Sequence, residues 1–232
     1  MKNFPSAELD RRYHQFAAHT TLLYWFTDLD AALVEARRTK RPVLSLRLLG
    51  RLDEEHSCAN SRLFRTMLYP EPRINRVLRE RYVLHWQSLR PVPKLTIDFG
   101  DGRRATTTIA GNSVHLILDG TGRPLDALPG MFSPDAFLSL LLGEHATGGA
   151  AEPTRAVVAS RIAASKHVME TPLLRALGQD TQDNFALHAR IRAALAHYKW
   201  TADQLVEWIY RELFAMPLDD ATLGLVVAGF SG

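Results

Sequence analysis

The chain contains a single cysteine, Cys58, among its 232 residues. One thiol excludes an intramolecular disulfide, so the sequence is not that of a small secreted scaffold held together by bridges. The compartment stays open between cytoplasm and periplasm, with the cytoplasm slightly favoured. Because so few residues offer reactive chemistry, Cys58 becomes the first candidate for function.

Long apolar runs are also missing. Nowhere do eighteen apolar residues follow one another, and the first ten residues include Pro5, Glu8 and Asp10 without an apolar core of signal-peptide length. We therefore expect a soluble chain without a membrane span. The net charge is only +3, and the arginines are interleaved with acidic residues instead of forming one basic stripe, so we expect no nucleic-acid partner.

Signals for metals and cofactors are equally scarce. His56 lies two residues before Cys58, while His85 and His115 belong to two separate predicted strands. Zinc needs three or four converging ligands, and these spacings match no compact metal motif. The sequence has no Gly-rich phosphate loop or nucleophile elbow either. It therefore predicts neither a metal nor a cofactor.

The composition is that of an ordinary globular protein, with 46% hydrophobic and 23% charged residues, and the sequence divides into two unlike halves. Strand and helix patterns alternate in the first half, whereas the second half is helical throughout. A Gly-rich stretch, 143–153, lies between them. We predict an N-terminal extension over 1–24, an α/β domain over 25–143 and an α-helical domain over 151–232.

Local signals give the order of elements in the first half. Asp28 or Thr27 caps a helix that Lys40-Arg41-Pro42 ends, and an apolar strand, 43–48, leads to the cysteine. The following helix is broken at Pro70 and Pro72, and after a short further helix comes a second strand at 82–86. A Gly-containing turn predicts a β-hairpin over 94–109, and two more strands and a helix capped by Ser133 complete the half, the strands being 113–119 and 125–128.

This order of elements resembles a divergent bacterial thioredoxin-like family. The residues that carry the resemblance are Trp25 with 28–37, the strand entry 41–44, the segment 58–61, the strand and turn 116–122, and Gly130 with 133–138. The resemblance covers about half of the chain. It implies an α/β fold, a thioredoxin-like domain with a central mixed sheet flanked by helices, followed by an α-helical domain.

The same resemblance implies a site at the start of the helix after the first buried strand. Cys58 and Ser61 stand where the family commonly carries Cys-x-x-Cys, and Ser113 stands where it commonly carries a cis-proline, with Asn112 beside it. A chain without the second thiol cannot release a mixed disulfide by itself, so an external thiol must do so. The implied function is that of a monothiol redox protein in which Cys58 and Ser61 are catalytic.

The helix N-terminus favours a thiolate at Cys58, and His56 and Arg62 could add positive potential, whereas Glu54 and Glu55 would oppose it. A Cys-x-x-Ser pattern also resembles monothiol glutaredoxins, which implies exchange with glutathione or binding of a cluster. We therefore expect a protein or a small-molecule thiol as partner. The expected substrate-binding residues are His56, Arg62, Asn112 and Ser113. The sequence leaves the oligomeric state open.

A second interpretation makes Cys58 a small buried hydrophobic residue and Ser61 a first-turn polar residue that satisfies backbone groups. The protein would then be a non-catalytic adaptor that binds a protein segment through the degenerate groove and the helical half. Aromatic residues at helical spacing in that half would either fill a core or line a partner groove; they are Tyr198, Trp200, Trp208, Tyr210 and Phe214. A buried thiol would favour the adaptor, and an exposed, acidic thiol the redox protein.

Overall fold

A computed structural model describes residues 21–54, 57–108, 111–143 and 172–225, with side chains placed from 178 onward in the last segment. Most of the predicted linker, a helical pattern around 157–168, His56 and the last seven residues lie outside the described residues. The strands are β1 (Trp25–Phe26), β2 (Val43–Leu49), β3 (Val83–Arg90), β4 (Lys94–Asp98), β5 (Arg104–Thr108), β6 (Ser113–Leu118) and β7 (Pro124–Pro129).

The helices follow in the same chain order. They are α1 (Leu29–Thr39), α2 (Ala59–Leu63) with a π-helical continuation (Phe64–Leu68), α3 (Pro72–Arg81), α4 (Pro134–Leu141), α5 (Pro172–His197) and α6 (Ala202–Trp208), which also continues as a π-helix (Ile209–Leu213). In the part of the chain that the structure describes, no helix combines the length and apolar character needed to cross a membrane.

Five of the strands form one mixed sheet in the order β1-β3-β2-β6-β7. β1, β3 and β2 run parallel, whereas β6 and β7 are antiparallel to their neighbours. β2 lies at the centre and all seven of its residues are buried, which explains why its sequence is an apolar run instead of an alternating pattern. The α/β class with a central mixed sheet, predicted from the sequence, is confirmed.

The local signals place several helix ends as predicted. The Asp28 carboxylate accepts a hydrogen bond from the Ala31 N–H at 3.0 Å and caps α1, which ends at Lys40 in the left-handed conformation. The Glu71 carboxylate caps α3 in the same way, with Pro72 in its first turn. Ser133 caps α4.

The two faces of the sheet carry different residues because neighbours along a strand point in opposite directions. His115 lies on one face, where its ring packs 4.7 Å from the Phe64 ring of the α2 continuation and 5.1 Å from the Phe137 ring of α4, measured between centroids. Arg47, which is opposite Val114 in the register, lies on the other face, and its Nη1 is 3.3 Å from the Asp203 carboxylate of α6. Thus α6 packs on the face opposite to α2 and α4.

Helix α5 runs along the edge strand β7. The Asn184 side chain donates to the Met131 carbonyl at 2.7 Å, and the Thr181 hydroxyl accepts from the Ser133 N–H at 2.7 Å. Further on, the His188 ring lies 2.9 Å from the buried Asp126 carboxylate of β7. The buried residues of α5 and α6 join the apolar cluster of the sheet. In the described residues, therefore, the second half of the chain shares its core with the first, while the domain boundaries stay predictions.

The predicted hairpin is present as β4 and β5, which pair antiparallel from Lys94 opposite Thr108 to Asp98 opposite Arg104. All five residues of β4 are exposed, as are most of those of β5. The hairpin is thus a two-stranded sheet of its own.

Two buried histidines make the stability of the fold depend on pH. Burial lowers the pKa of His115 to about 3, and burial together with the nearby Arg47 charge lowers the pKa of His85 to about 3. Both rings are therefore neutral in the folded protein and take up a proton near pH 6.5 once unfolded. Their contribution to stability is complete above about pH 6.5 and declines as the pH falls toward 3.

We expect the free energy of unfolding, measured by urea titration, to fall between pH 6.5 and pH 4 by on the order of 1 kcal/mol per pH unit for each histidine. His115→Phe keeps an aromatic ring between Phe64 and Phe137 and removes one titrating group. It should lower the stability at pH 7, because the Tyr69 hydroxyl loses its 2.8 Å partner, and it should flatten the slope between pH 4 and 6. An unchanged slope would contradict this account.

Candidate functional site

Cys58 lies at the junction between β2 and α2, as the sequence predicts. Its N–H donates to the carbonyl of Leu49, the last residue of β2, at 3.4 Å, and Cys58 itself is the N-terminal cap residue of α2. The thiol is free and its residue is fully buried, with 0% of its surface exposed. The thiol therefore lies at a strand-to-helix junction that solvent does not reach.

Ser61 is buried beside the cysteine, one turn into α2. Its hydroxyl donates to the Cys58 carbonyl at 3.0 Å and is also hydrogen-bonded to the Ser57 hydroxyl. These contacts satisfy buried polar groups of the first turn, which is the second of the two roles that the sequence left open for Ser61.

Arg65 is a part of the site that the sequence analysis missed. Its guanidinium is buried and donates to the Leu52 carbonyl at 3.0 Å, to the Glu54 carbonyl at 2.9 Å and to the Ser57 hydroxyl at 2.9 Å. The Nε of Arg65 donates to the Ser61 carbonyl at 3.2 Å. Arg65 thus holds the segment before the cysteine against α2, and its charge faces the thiol region.

The loop that leads into β6 covers Cys58 from the other side. A Cβ atom on Gly111 would lie 2.7 Å from the Cβ of Cys58 and 3.4 Å from a methyl group of Val92. Such a distance is shorter than two carbon atoms in contact adopt, so only glycine allows the loop to approach this closely. The Asn60 side chain donates to the Asn112 side chain at 2.8 Å and fixes the loop to α2.

The second half of the chain closes the same region. Tyr210, in the π-helical continuation of α6, is fully buried and its hydroxyl donates to the Asn112 carbonyl at 2.6 Å. Tyr210 is close enough to Cys58 for the negative charge of a thiolate to raise the pKa of the tyrosine, although burial is the main reason that this pKa is high. The C-terminal segment is therefore part of the wall around the thiol.

The electrostatic balance at Cys58 favours the neutral thiol. Burial raises the pKa of Cys58 above its ordinary value, because a thiolate would lose its hydration. Hydrogen bonds from the backbone and hydroxyl of Ser61, the Arg65 charge and the backbone N–H of Asn60 lower this pKa, but they do not offset burial. The site therefore contains groups that favour a thiolate in a place where burial disfavours one.

The remaining predicted site residues fall into three groups. Asn112 lies in the loop that packs on Cys58, and Ser113 is the first residue of β6, directly after that loop. The buried Ser113 hydroxyl has no hydrogen-bond partner among the described residues. Arg62 is exposed, and in the described part of the chain its side chain makes no hydrogen bond or ion pair, whereas its N–H donates to the Cys58 carbonyl. His56 lies outside the described residues.

Metal-binding side chains do not gather anywhere in the described segments. No group of three or more His, Cys, Asp or Glu side chains could hold an ion there.

The surface of the second half carries a shallow groove that we call the aromatic groove. The rings of Tyr198, Trp200 and Trp208 follow one another at centroid distances of 5.6 Å and 5.7 Å. The groove has a volume of about 440 Å³, and polar side chains complete its lining, namely Lys199, Gln204, Glu207 and Arg211. Of the five aromatic residues that the sequence singled out, Tyr210 is buried in the core and these three line a surface.

Comparison with models of known protein families gives no match to this chain, and no curated protein matches its sequence.

The close approach at Gly111 yields a test of the site's packing. Gly111→Ala places a methyl group against Cys58 and Val92, so the loop must move away from α2 and strain the Asn60–Asn112 hydrogen bond. We expect the free energy of unfolding to fall by about 1–3 kcal/mol, as for other overpacked cores, and the Cys58 thiol to become more accessible to reagents.

Gly102→Ala is the matched control, because Gly102 also has a positive φ but nothing lies within 4 Å of its added Cβ. Urea titration of both variants measures the difference between the two sites. Equal losses would show that backbone strain, and not contact with Cys58, explains the effect.

Proposed function

We propose that this chain is a non-catalytic, thioredoxin-like adaptor that binds a protein partner and in which Cys58 belongs to the buried scaffold. The observation that carries the proposal is that Cys58 is fully buried and has a raised pKa. A nucleophilic thiol has to reach its substrate as a thiolate, and both properties oppose this.

The arrangement of the first half supports the thioredoxin-like part of the proposal. A mixed five-stranded sheet carries the cysteine directly after its central strand, and the cysteine begins a helix. The loop before β6 faces the cysteine, as the resemblance implies for Asn112 and Ser113. These features agree with the family resemblance while the missing second thiol removes the reaction that a pair of cysteines performs alone.

The groove beside Cys58 is filled by the protein itself. Gly111 packs against the thiol residue with Val92 close by, and Tyr210 donates to the loop carbonyl above it. A partner therefore needs another surface, and the aromatic groove has suitable chemistry. Tyrosine, tryptophan and arginine are enriched at protein interfaces, where the rings provide contact area and the polar atoms provide hydrogen bonds. Tyr198, which is 65% exposed, is the most accessible of the three rings.

The state of the thiol can be tested by alkylation of the folded protein across a range of pH. We expect Cys58 to react slowly at all pH values up to about 9 and to react at the rate of a free thiol, with a pKa near 8.5, once urea unfolds the chain. Mass spectrometry measures the reaction, with Cys58→Ala as the unreactive control. Fast modification of the folded protein, with a pKa below that of a free thiol, would contradict the adaptor and support a redox function.

A monothiol redox protein is the second candidate, and one observation favours it. The backbone N–H groups of Asn60 and Ser61 and the Ser61 hydroxyl act to lower the pKa of Cys58 and would stabilise a thiolate. The thiolate would attack a disulfide, forming a mixed disulfide and releasing the other sulfur as a thiolate, and an external thiol would complete the cycle. Incubation with oxidised glutathione discriminates, since only this candidate predicts a mixed disulfide in the folded protein.

Partner binding through the aromatic groove gives a further prediction. Tyr198→Ala should weaken binding of the physiological partner by about tenfold or more, because an exposed ring that becomes buried on binding is a typical hot spot. Tyr24→Ala is the matched control, because Tyr24 is also a half-exposed tyrosine, with 52% of its surface accessible. Affinity capture with both variants, followed by titration of the captured protein, measures the effect. Equal binding by the two variants would exclude the aromatic groove as the interface.

A further inference from the structure

The hairpin β4–β5 exposes apolar side chains that a folded chain ordinarily buries. Leu95, Ile97 and Phe99 are between 44% and 56% exposed, and they share one face because they alternate along the strand. A two-stranded hairpin by itself is only marginally stable in water, and an apolar face on such a hairpin indicates an interaction surface.

The outer edge of β4 has unpaired backbone groups. The Phe99 N–H donates to the Arg103 carbonyl at 3.1 Å, so this pair is joined by hydrogen bonds to β5. Because hydrogen-bonded and non-hydrogen-bonded pairs alternate in an antiparallel ladder, the backbone groups of Lys94, Thr96 and Asp98 point away from β5. Among the described residues no other strand pairs with this edge. Three residues of β4 therefore offer an N–H and a carbonyl each to a further strand.

The sequence of β4 is complementary to itself. Lys94 begins the strand, Asp98 ends it and Thr96 lies midway. In an antiparallel pair of two copies centred on Thr96, each Lys94 faces the Asp98 of the other copy and Leu95 faces Ile97. Lys94, Thr96 and Asp98, whose backbone groups point outward, then lie opposite Asp98, Thr96 and Lys94 of the other copy. The register that pairs the charges therefore also pairs the backbone donors and acceptors.

From this complementarity we infer that β4 pairs with β4 of a second copy of the chain across a two-fold axis through Thr96, forming a four-stranded sheet. The occupant is another copy because one pairing serves charge, hydrogen bonding and the apolar face together. Leu95 and Ile97 of both copies lie on the same face of the joined sheet and form one apolar strip. The pairing also removes two exposed edges, which single hairpins otherwise leave open to unspecific contacts.

The charges already present at the edge are compatible with this pairing. Asp98 accepts a hydrogen bond from Arg104 at 2.9 Å with one carboxylate oxygen and from the Gly100 N–H at 2.9 Å with the other, and each oxygen has further acceptor capacity. Lys94 makes no hydrogen bond or ion pair with a described residue. Its ammonium group is thus available to the carboxylate of the second copy.

The first test measures the oligomeric state of the full chain by sedimentation velocity over a range of concentrations. We expect a dimer that dissociates on dilution. Thr96→Pro removes the outward N–H at the two-fold axis and should raise the dissociation constant of the dimer at least about tenfold.

Thr106→Pro is the matched control, because Thr106 lies opposite Thr96 in the same hairpin and its N–H points to the other edge. Both variants lose the same 3.0 Å contact between the two threonine hydroxyls. Only the Thr96 variant should lose dimerisation. A chain that is monomeric at every concentration, or a dimer that both proline variants leave intact, would overturn the proposal.

A second test uses the charges at the strand ends. Lys94→Asp brings two carboxylates together at each end of the paired strands, and Asp98→Lys brings two ammonium groups together, so each variant alone should dimerise several-fold more weakly. An equimolar mixture should form a heterodimer, because opposite charges then meet at both ends. Recovery of the dimer only in the mixture supports the antiparallel register, and equal dimerisation of the separate variants would overturn it.

Discussion

The hydrogen bond between the Tyr210 hydroxyl and the Asn112 carbonyl connects the two halves of the chain beside the buried Cys58. The carbonyl belongs to the loop that packs on Cys58, and a buried carbonyl without a partner would be unfavourable. Satisfying it brings the C-terminal segment over the thiol, so the burial of Cys58 depends on residues that lie far along the chain. Removal of that segment would change the solvent access of the cysteine as well as the core.

A second long-range contact determines where α6 lies on the sheet. Arg47 is fully buried at the centre of β2, and its guanidinium donates to the Ser45 hydroxyl at 3.1 Å and contacts the Gln87 side chain and the Asp203 carboxylate. A buried charge without a partner is strongly unfavourable. The carboxylate of Asp203 thus favours, together with the apolar contacts of this segment, the position of α6 from which Tyr210 reaches the loop.

These two contacts also explain how far the sequence could predict the structure. The cap of α1 at Asp28, the break at Pro70 and Pro72, the hairpin and the position of Cys58 after a strand all follow from neighbouring residues, and the structure confirms them. The burial of the thiol does not follow in this way. Tyr210 and Asn112 are separated by 98 positions in the sequence, and no local pattern connects them.

The sequence analysis names Arg62 and does not name Arg65. Along an α-helix, residues four and seven positions after Cys58 lie on the same side as the cysteine, so the spacing allows both arginines. In the structure Arg65 is the buried one and donates to Ser57 and Ser61, while Arg62 stays at the surface. The burial of Arg65 depends on the segment before the cysteine, whose Leu52 and Glu54 carbonyls accept from it, and helical spacing gives no information on that segment.

Burial of the thiol changes which parts of the surface are available for function. With Cys58 enclosed, two exposed features of the described residues offer specific chemistry: the β4 edge, with backbone hydrogen-bonding groups, and the aromatic groove, with rings and charged side chains. An edge strand favours an extended partner in one register, whereas a groove of side chains selects by shape and charge. If two copies pair through β4, each dimer presents two aromatic grooves. Binding to a partner with two recognition segments would then be strengthened through effective concentration, without any new contact in either groove.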